Sequence, residues 1–171
     1  MVLEKKYAWA LLFLLLSFSA CGYRFAGSGN LPPGIRSIHV NVFANRSAET
    51  GFENVITNDI IYEFTRKKKD AVAKSDQADG ILTGLVASVR TDTIAHKGES
   101  TSLTRRVVVS LNAKLTDRNG IVVWSEDDIT ESEAFDVVSD KQASEQRKQD
   151  ALNRVSERLA EKIFNRLTED F

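Results

Sequence analysis

Three arginines and a lysine, Arg90, Arg105, Arg106 and Lys97, lie in or beside one polar stretch, "AHKGESTS". Guanidinium forks pair bidentately with phosphates and carboxylates and an ammonium adds a point charge, so these residues are candidates for holding an anionic group. Candidates for catalysis are scarce. His39 lies in an alternating apolar stretch and His96 in the polar one, and neither has a Cys, Asp or Glu at metal-ligand spacing. "GSGN" at 27–30 lacks the Lys and the following helix of a phosphate-binding loop. Glu126, Asp127 and Asp128 lack the ligand periodicity and turn glycine of a calcium loop and read as a charged strand end. No Ser-His-Asp arrangement can be proposed. The expectation is a binding or assembly protein rather than an enzyme, without a metal or a diffusible cofactor.

The single cysteine, Cys21, cannot close an internal disulfide. It stands at the foot of a leader: Glu4, Lys5 and Lys6 are charged, Tyr7 to Leu16 are almost wholly apolar, and Ser17, Ser19 and Ala20 are small. That is the layout of an export signal, with an apolar zone shorter than the roughly 20 residues a membrane-spanning helix needs. Ser19 and Ala20 before Cys21 resemble a bacterial lipobox, although Phe18 stands where Leu is favoured. The expectation is cleavage after residue 20, with a diacylglycerol on the Cys21 sulfur and an acyl chain on its new amino group. Several acyl chains hold a protein on a bilayer durably where one does not. Gly22, where inner-membrane lipoproteins tend to carry Asp, points to the periplasmic face of the outer membrane. The chain's net charge is −1, which offers nucleic acid no bulk attraction.

The elements that must position these residues follow from periodicity. Residues 21–34 are rich in Gly, Pro and Ser and read as an irregular lead, leaving 35–171 as one domain. "IRSIHVNVF" alternates as a strand with Ile38, Val40 and Val42 on one face. In "ETGFENVITNDIIYEFTRKKK", Thr50 and Glu53 fit a capping box. Phe52, Val55, Ile56, Ile60 and Phe64 then share a helical face, and Lys67 to Lys69 suit the helix's negative end. "AVA" at 71–73 reads as a short edge strand. Three longer strands follow: one with Ile81, Leu85, Ala87 and Val89 inward, one with Val107, Val109, Leu111, Ala113 and Leu115 inward, and "IVVWSEDDI" after an Asn-Gly turn. A last helix carries a stripe of Leu152, Val155, Leu159, Ile163 and Leu167. The predicted class is α+β: a mostly antiparallel sheet of about four strands with two amphipathic helices on one face, in the order β-α-β-β-β-α. The opposite face would carry Leu82, Val86, Val108, Val122 and Trp124 among His39, Arg90, Arg106 and Lys114. Such a surface is too apolar for open water and too cationic for a sealed core, so it reads as a face that meets a partner.

In that order, "CGYRFAG", "FANRSAETGFE", "ADGILTGLV" and "RRVVVSLNAKLTDRNGIVVWSED" with the helical tail resemble the LptE family of lipopolysaccharide-assembly lipoproteins. The resemblance covers nearly all of the chain after the leader. It implies an outer-membrane lipoprotein without catalytic residues, whose domain plugs the large LptD β-barrel, assists that barrel's assembly and binds lipopolysaccharide in transit. Lipid A and inner-core phosphates are groups that Arg90, Lys97, Arg105 and Arg106 would suit, though no family motif assigns them one by one. The alternative is another periplasmic lipoprotein of similar core, either an activator of a peptidoglycan synthase or a secretion-pore lipoprotein related to curli export.

Overall fold

The computed structural model describes residues 29–97 and 102–169; the expected leader and Cys21 lie outside them. The elements run β1 (Ile38–Val40), β2 (Ala44–Asn45), α1 (Phe52–Lys67), β3 (Gly80–Lys97), β4 (Ser102–Asp117), β5 (Val122–Val137) and α2 (Lys141–Glu169). The sheet order is β1-β3-β4-β5, with β2 also beside β3. This is the expected α+β class, with one addition. β1 and β2 pair with β3 in parallel, because α1 carries the chain back across the sheet between them. β3–β4 and β4–β5 are long antiparallel pairs. Residues 71–73 form no strand of their own; Val72 makes one parallel bridge to Ile38.

Both helices bury the stripes that their spacing predicts. Phe52, Ile56, Ile60 and Phe64 of α1 are buried, as are Leu152, Val155, Leu159, Ile163 and Leu167 of α2, while Val55 is only half-buried. The helices meet edge to face at Phe64 and Phe164, whose ring centroids are 4.9 Å apart. Lys67 Nζ lies 4.9 Å from the Phe164 centroid and 2.9 Å from Glu63 Oε1. Burial works against the charge on Glu63, but hydrogen bonds from Lys67 and Arg66 outweigh it and hold the carboxyl below its ordinary range.

The start of α1 differs from the expected capping box. Gly51, with φ 95°, is the cap, and no side chain caps from that position. Glu53 still reaches back, accepting from Gly51 N–H at 3.0 Å and from Asn45 Nδ2 at 2.7 Å. A left-handed backbone, open to glycine at no steric cost, thus replaces the hydroxyl of Thr50. Asp140 caps α2, its Oδ1 accepting from the N–H groups of Gln142 and Ala143.

The strand faces need three corrections. Leu82 and Val86 are fully buried against the helices, whereas Ile81 and Leu85 sit on the other side, half-exposed. The phase then inverts: Val86 pairs with Leu111 but Ser88 with Ser110, so Ala87 is a bulge, and beyond it Val89 falls on the helix side as expected. Trp124 lies opposite Leu115 and is buried under the helices, not on the open face. Val42 is 63% exposed because β1 ends at Val40 and the chain bends, turning Phe43 inward in its place. At the β4–β5 turn only Gly120 takes a positive φ, while the Asp117 carboxylate accepts from the N–H groups of Asn119 and Ile121.

Candidate functional site

Strand alternation divides the predicted cations between two faces. Arg90, opposite Val108, and Arg106, opposite Asp92, stand on the open face with Lys114. All three are exposed, and among the described residues none makes an ion pair. Arg105 lies opposite Phe135 and Thr93, on the side of the helices. Lys97 closes β3 opposite Ser102; its side chain lies outside the described residues, as does that of His96. His39 places Nδ1 3.2 Å from the Ala73 carbonyl, a structural contact.

The acidic run at 126–128 is pulled apart by a second bulge, where Leu111 pairs with Ile129 and Ala113 with Glu126. Glu126 turns to the helix side and pairs with Arg166. Asp128, in the left-handed region at φ 55°, turns to the open face. There its carboxyl is held below its ordinary range by the hydroxyl of Ser110 at 2.6 Å, then by Thr130, with Arg90 adding attraction. The three carboxylates do not converge, and among the described residues no cluster of three or more His, Cys, Asp or Glu is placed to hold a metal.

Two cavities flank the hairpin. On the open face, a depression of about 470 Å³ is lined by Gly84, Leu85, Arg46, Lys114 and Asp127 among others. On the helix side, a cavity of about 430 Å³ gathers Arg105 from β4, Phe135 and Val137 from β5, and Lys141, Ser144 and Lys148 from α2. Lys148 Nζ is already 2.6 Å from Glu49 Oε2. Among the described residues, Arg105 and Lys141 form no ion pair. Glu145 also lines the cavity, 3.8 Å from Lys148 Nζ, so Arg105 and Lys141 are the cations left beside the apolar wall, where they can take a ligand that joins an acidic group to a hydrophobic body. Sequence reasoning missed Lys141 and Lys148. Their seven-residue spacing, two helical turns, was the available sign that they share one side of α2.

A family model described as lipopolysaccharide-assembly, LptE, matches residues 35–167. The chain belongs to the LptE family. The LptE family serves lipopolysaccharide assembly and is not one of enzymes. No curated protein sequence matches the chain. Solved structures match at the level of the LptE-like fold. Lipoprotein B of Nitrosomonas europaea aligns with TM-score 0.54 and 11% identity over 78% of this chain and 83% of its own. A Chlamydia trachomatis protein aligns with TM-score 0.51 and 11% identity over 77% and 95%. A Caulobacter crescentus protein assigned as a lipoprotein aligns with TM-score 0.50 and 18% identity over 75% and 88%.

Proposed function

We propose that this LptE-family chain is an outer-membrane lipoprotein, anchored by acyl chains on Cys21 after removal of residues 1–20. Its domain plugs an LptD-type β-barrel, assists that barrel's assembly and binds lipopolysaccharide on its way to the cell surface. Beyond family membership, the observation that supports lipopolysaccharide as ligand is the helix-side cavity, where Arg105 and Lys141 stand beside Phe135 and Val137 while Lys148 is paired with Glu49 and Glu145. Lipopolysaccharide offers phosphates for the cations and acyl chains for the wall. A bidentate arginine gives such a site orientation as well as attraction. Arg90, Arg106 and Lys97, at the open face and the hairpin end, are further contacts in this reading, facing ligand or barrel wall.

The experiment is recovery of the tagged chain from detergent extract, with identification of what accompanies it, followed by lipopolysaccharide binding to the purified complex. A large barrel in one-to-one ratio is expected. The double variant Arg105→Glu, Lys141→Glu should bind lipopolysaccharide at least about tenfold more weakly, the scale of losing a charge-assisted pair, with an unchanged circular dichroism spectrum. Recovery of a peptidoglycan synthase or a ring of identical chains instead of a barrel would refute the plug. Undiminished binding by the double variant would remove the cavity from the ligand site.

A further inference from the structure

The segment "FANRSAETGFE", which joins β1 to α1, is pinned at several points. Asn45 is its hub: Nδ2 donates to the Glu49 carbonyl at 2.9 Å and to Glu53 Oε2 at 2.7 Å, while Oδ1 accepts from the N–H and the hydroxyl of Ser47. Lys148 and Gln149 of α2 donate to the Glu49 carboxylate. Arg46 stands between the pinned Asn45 and Ser47, and its own N–H donates to the Val86 carbonyl at 3.0 Å. Its backbone is thereby fixed, yet the residue is exposed, and among the described residues its guanidinium has no ion-pair partner.

That guanidinium borders the open-face depression of about 470 Å³. Ala44, Leu85 and Asn112 form one row across the sheet there, and Thr83, Lys114 and Ser125 the next. By register, Lys114 is the diagonal neighbour of Leu85 on the β4 side, and Arg46, two residues beyond Ala44, is the corresponding one on the β2 side. Leu85 is half-exposed between them. Asp127, from the β5 bulge opposite Asn112, also lines the depression. Lys114 and Asp127 are exposed and, among the described residues, in no ion pair.

We infer that this depression seats an inward-pointing segment of the barrel chain that carries an Asp or Glu beside an apolar side chain. Arg46 pairs the carboxylate bidentately, the apolar group rests on Leu85 and Ala44, and Lys114 adds attraction from the far side. The inference rests on the plug proposed above and names the face by which the plug meets its wall. Charge favours a polypeptide here over lipopolysaccharide. Several phosphates would meet repulsion from Asp127 and its neighbour Asp128, whereas a polypeptide brings a single carboxylate together with N–H donors that Asp127 can accept. The lumen side of an outer-membrane barrel is polar, so carboxylates are groups it can offer inward. An arginine whose backbone is ordered beforehand also loses less freedom on docking, and arginine is a residue type that anchors interfaces.

The full tagged chain, recovered from detergent extract with its barrel, supplies the test. Arg46→Glu should lower barrel recovery roughly tenfold or more at equal expression, and Arg46→Lys, which keeps the charge, should lower it less. Lipopolysaccharide binding by the purified chain and its circular dichroism spectrum should not change. With p-benzoylphenylalanine in place of Leu85 and Arg46 intact, irradiation should link the chain to the barrel, and the linked barrel peptide should contain Asp or Glu. Undiminished recovery by Arg46→Glu overturns the inference. So does a Leu85 crosslink to lipopolysaccharide instead of the barrel, or a linked peptide with no acidic residue. If the unsubstituted chain brings down no barrel, the plug itself fails and this inference with it; if the barrel comes down equally with both chains, only the inference falls.

Discussion

The ring of Phe43 fills the space that a side chain at Gly84 would need. A Cβ added at Gly84 would stand 2.0 Å from Cε2 of that ring, far inside van der Waals contact. The Phe43 N–H donates to Thr57 Oγ1 at 3.1 Å, which ties the bend after β1 to α1. Gly84→Ala should therefore cost about 1–3 kcal/mol, the range for overfilling a packed site, read as a lower denaturant midpoint. Phe43→Leu in the same chain should recover part of the loss. A midpoint equal to that of the unchanged chain would mean that the ring yields freely.

Asp59 of α1 bonds Ser156 of α2 at 2.5 Å between the helices. Burial raises its carboxyl above the ordinary range and the charge of Glu157 adds to this, against the hydrogen bond from Ser156. The folded chain thus keeps this proton to higher pH than the unfolded chain does, and stability from this group falls as pH rises from the ordinary carboxylate value through the raised one. Asp59→Asn should remove that fall. Thermal melts of both chains across the acid range check it; parallel curves would show that Asp59 titrates normally.

The lowered acids act with the opposite sign. Glu133 is partly buried, which opposes its charge, but Arg154 and Arg158 outweigh this and depress its carboxyl. Its contribution is present above the ordinary carboxylate value and is lost as pH falls through the depressed one. Glu133→Gln is expected to flatten the acid limb of the stability curve in urea titrations, and a limb of unaltered slope would contradict that assignment.

Arg158→Ala with Lys162→Ala would uncover the outer carbonyls of Ser132 and Thr130 and break pairs with Glu131 and Glu133. A loss of about 0.5–1.5 kcal/mol per removed bond is expected. Light scattering on heating should also rise, because an edge strand with free backbone groups templates aggregation. Clear solutions up to the same temperature as the unchanged chain would show that the edge is protected otherwise.

Cys21→Ser should abolish incorporation of labelled palmitate and shift the protein from the membrane pellet to the soluble fraction or to an uncleaved precursor. Full palmitate labelling of the serine variant would disprove lipidation at this position.

Element order and helix faces were legible because a 3.6-residue apolar repeat admits one reading: Leu152, Val155, Leu159, Ile163 and Leu167 can share no other side. β3 was not. Ile81 and Leu82 are adjacent and both apolar, as are Leu85 and Val86, so a period of two fits either phase, and no sequence pattern announces the bulge at Ala87. Trp124 follows three residues that are apolar in either phase, and burial under α2 decided its side. The candidate site was legible in residue type only. Arg105 and Arg106 are neighbours in the chain, yet strand geometry sends one toward Lys141 and Lys148 and the other to the open face.

By itself the sequence determined the class of fold, both helix stripes and the family, because these rest on local pattern and residue order. Tertiary structure alone decided which strand phase is buried, that β1 runs parallel to β3, that the cations divide between two faces, and that cations of α2 block the outer edge of β5. Those outcomes depend on bulges and on contacts between residues far apart in the chain, whose energies no local window contains.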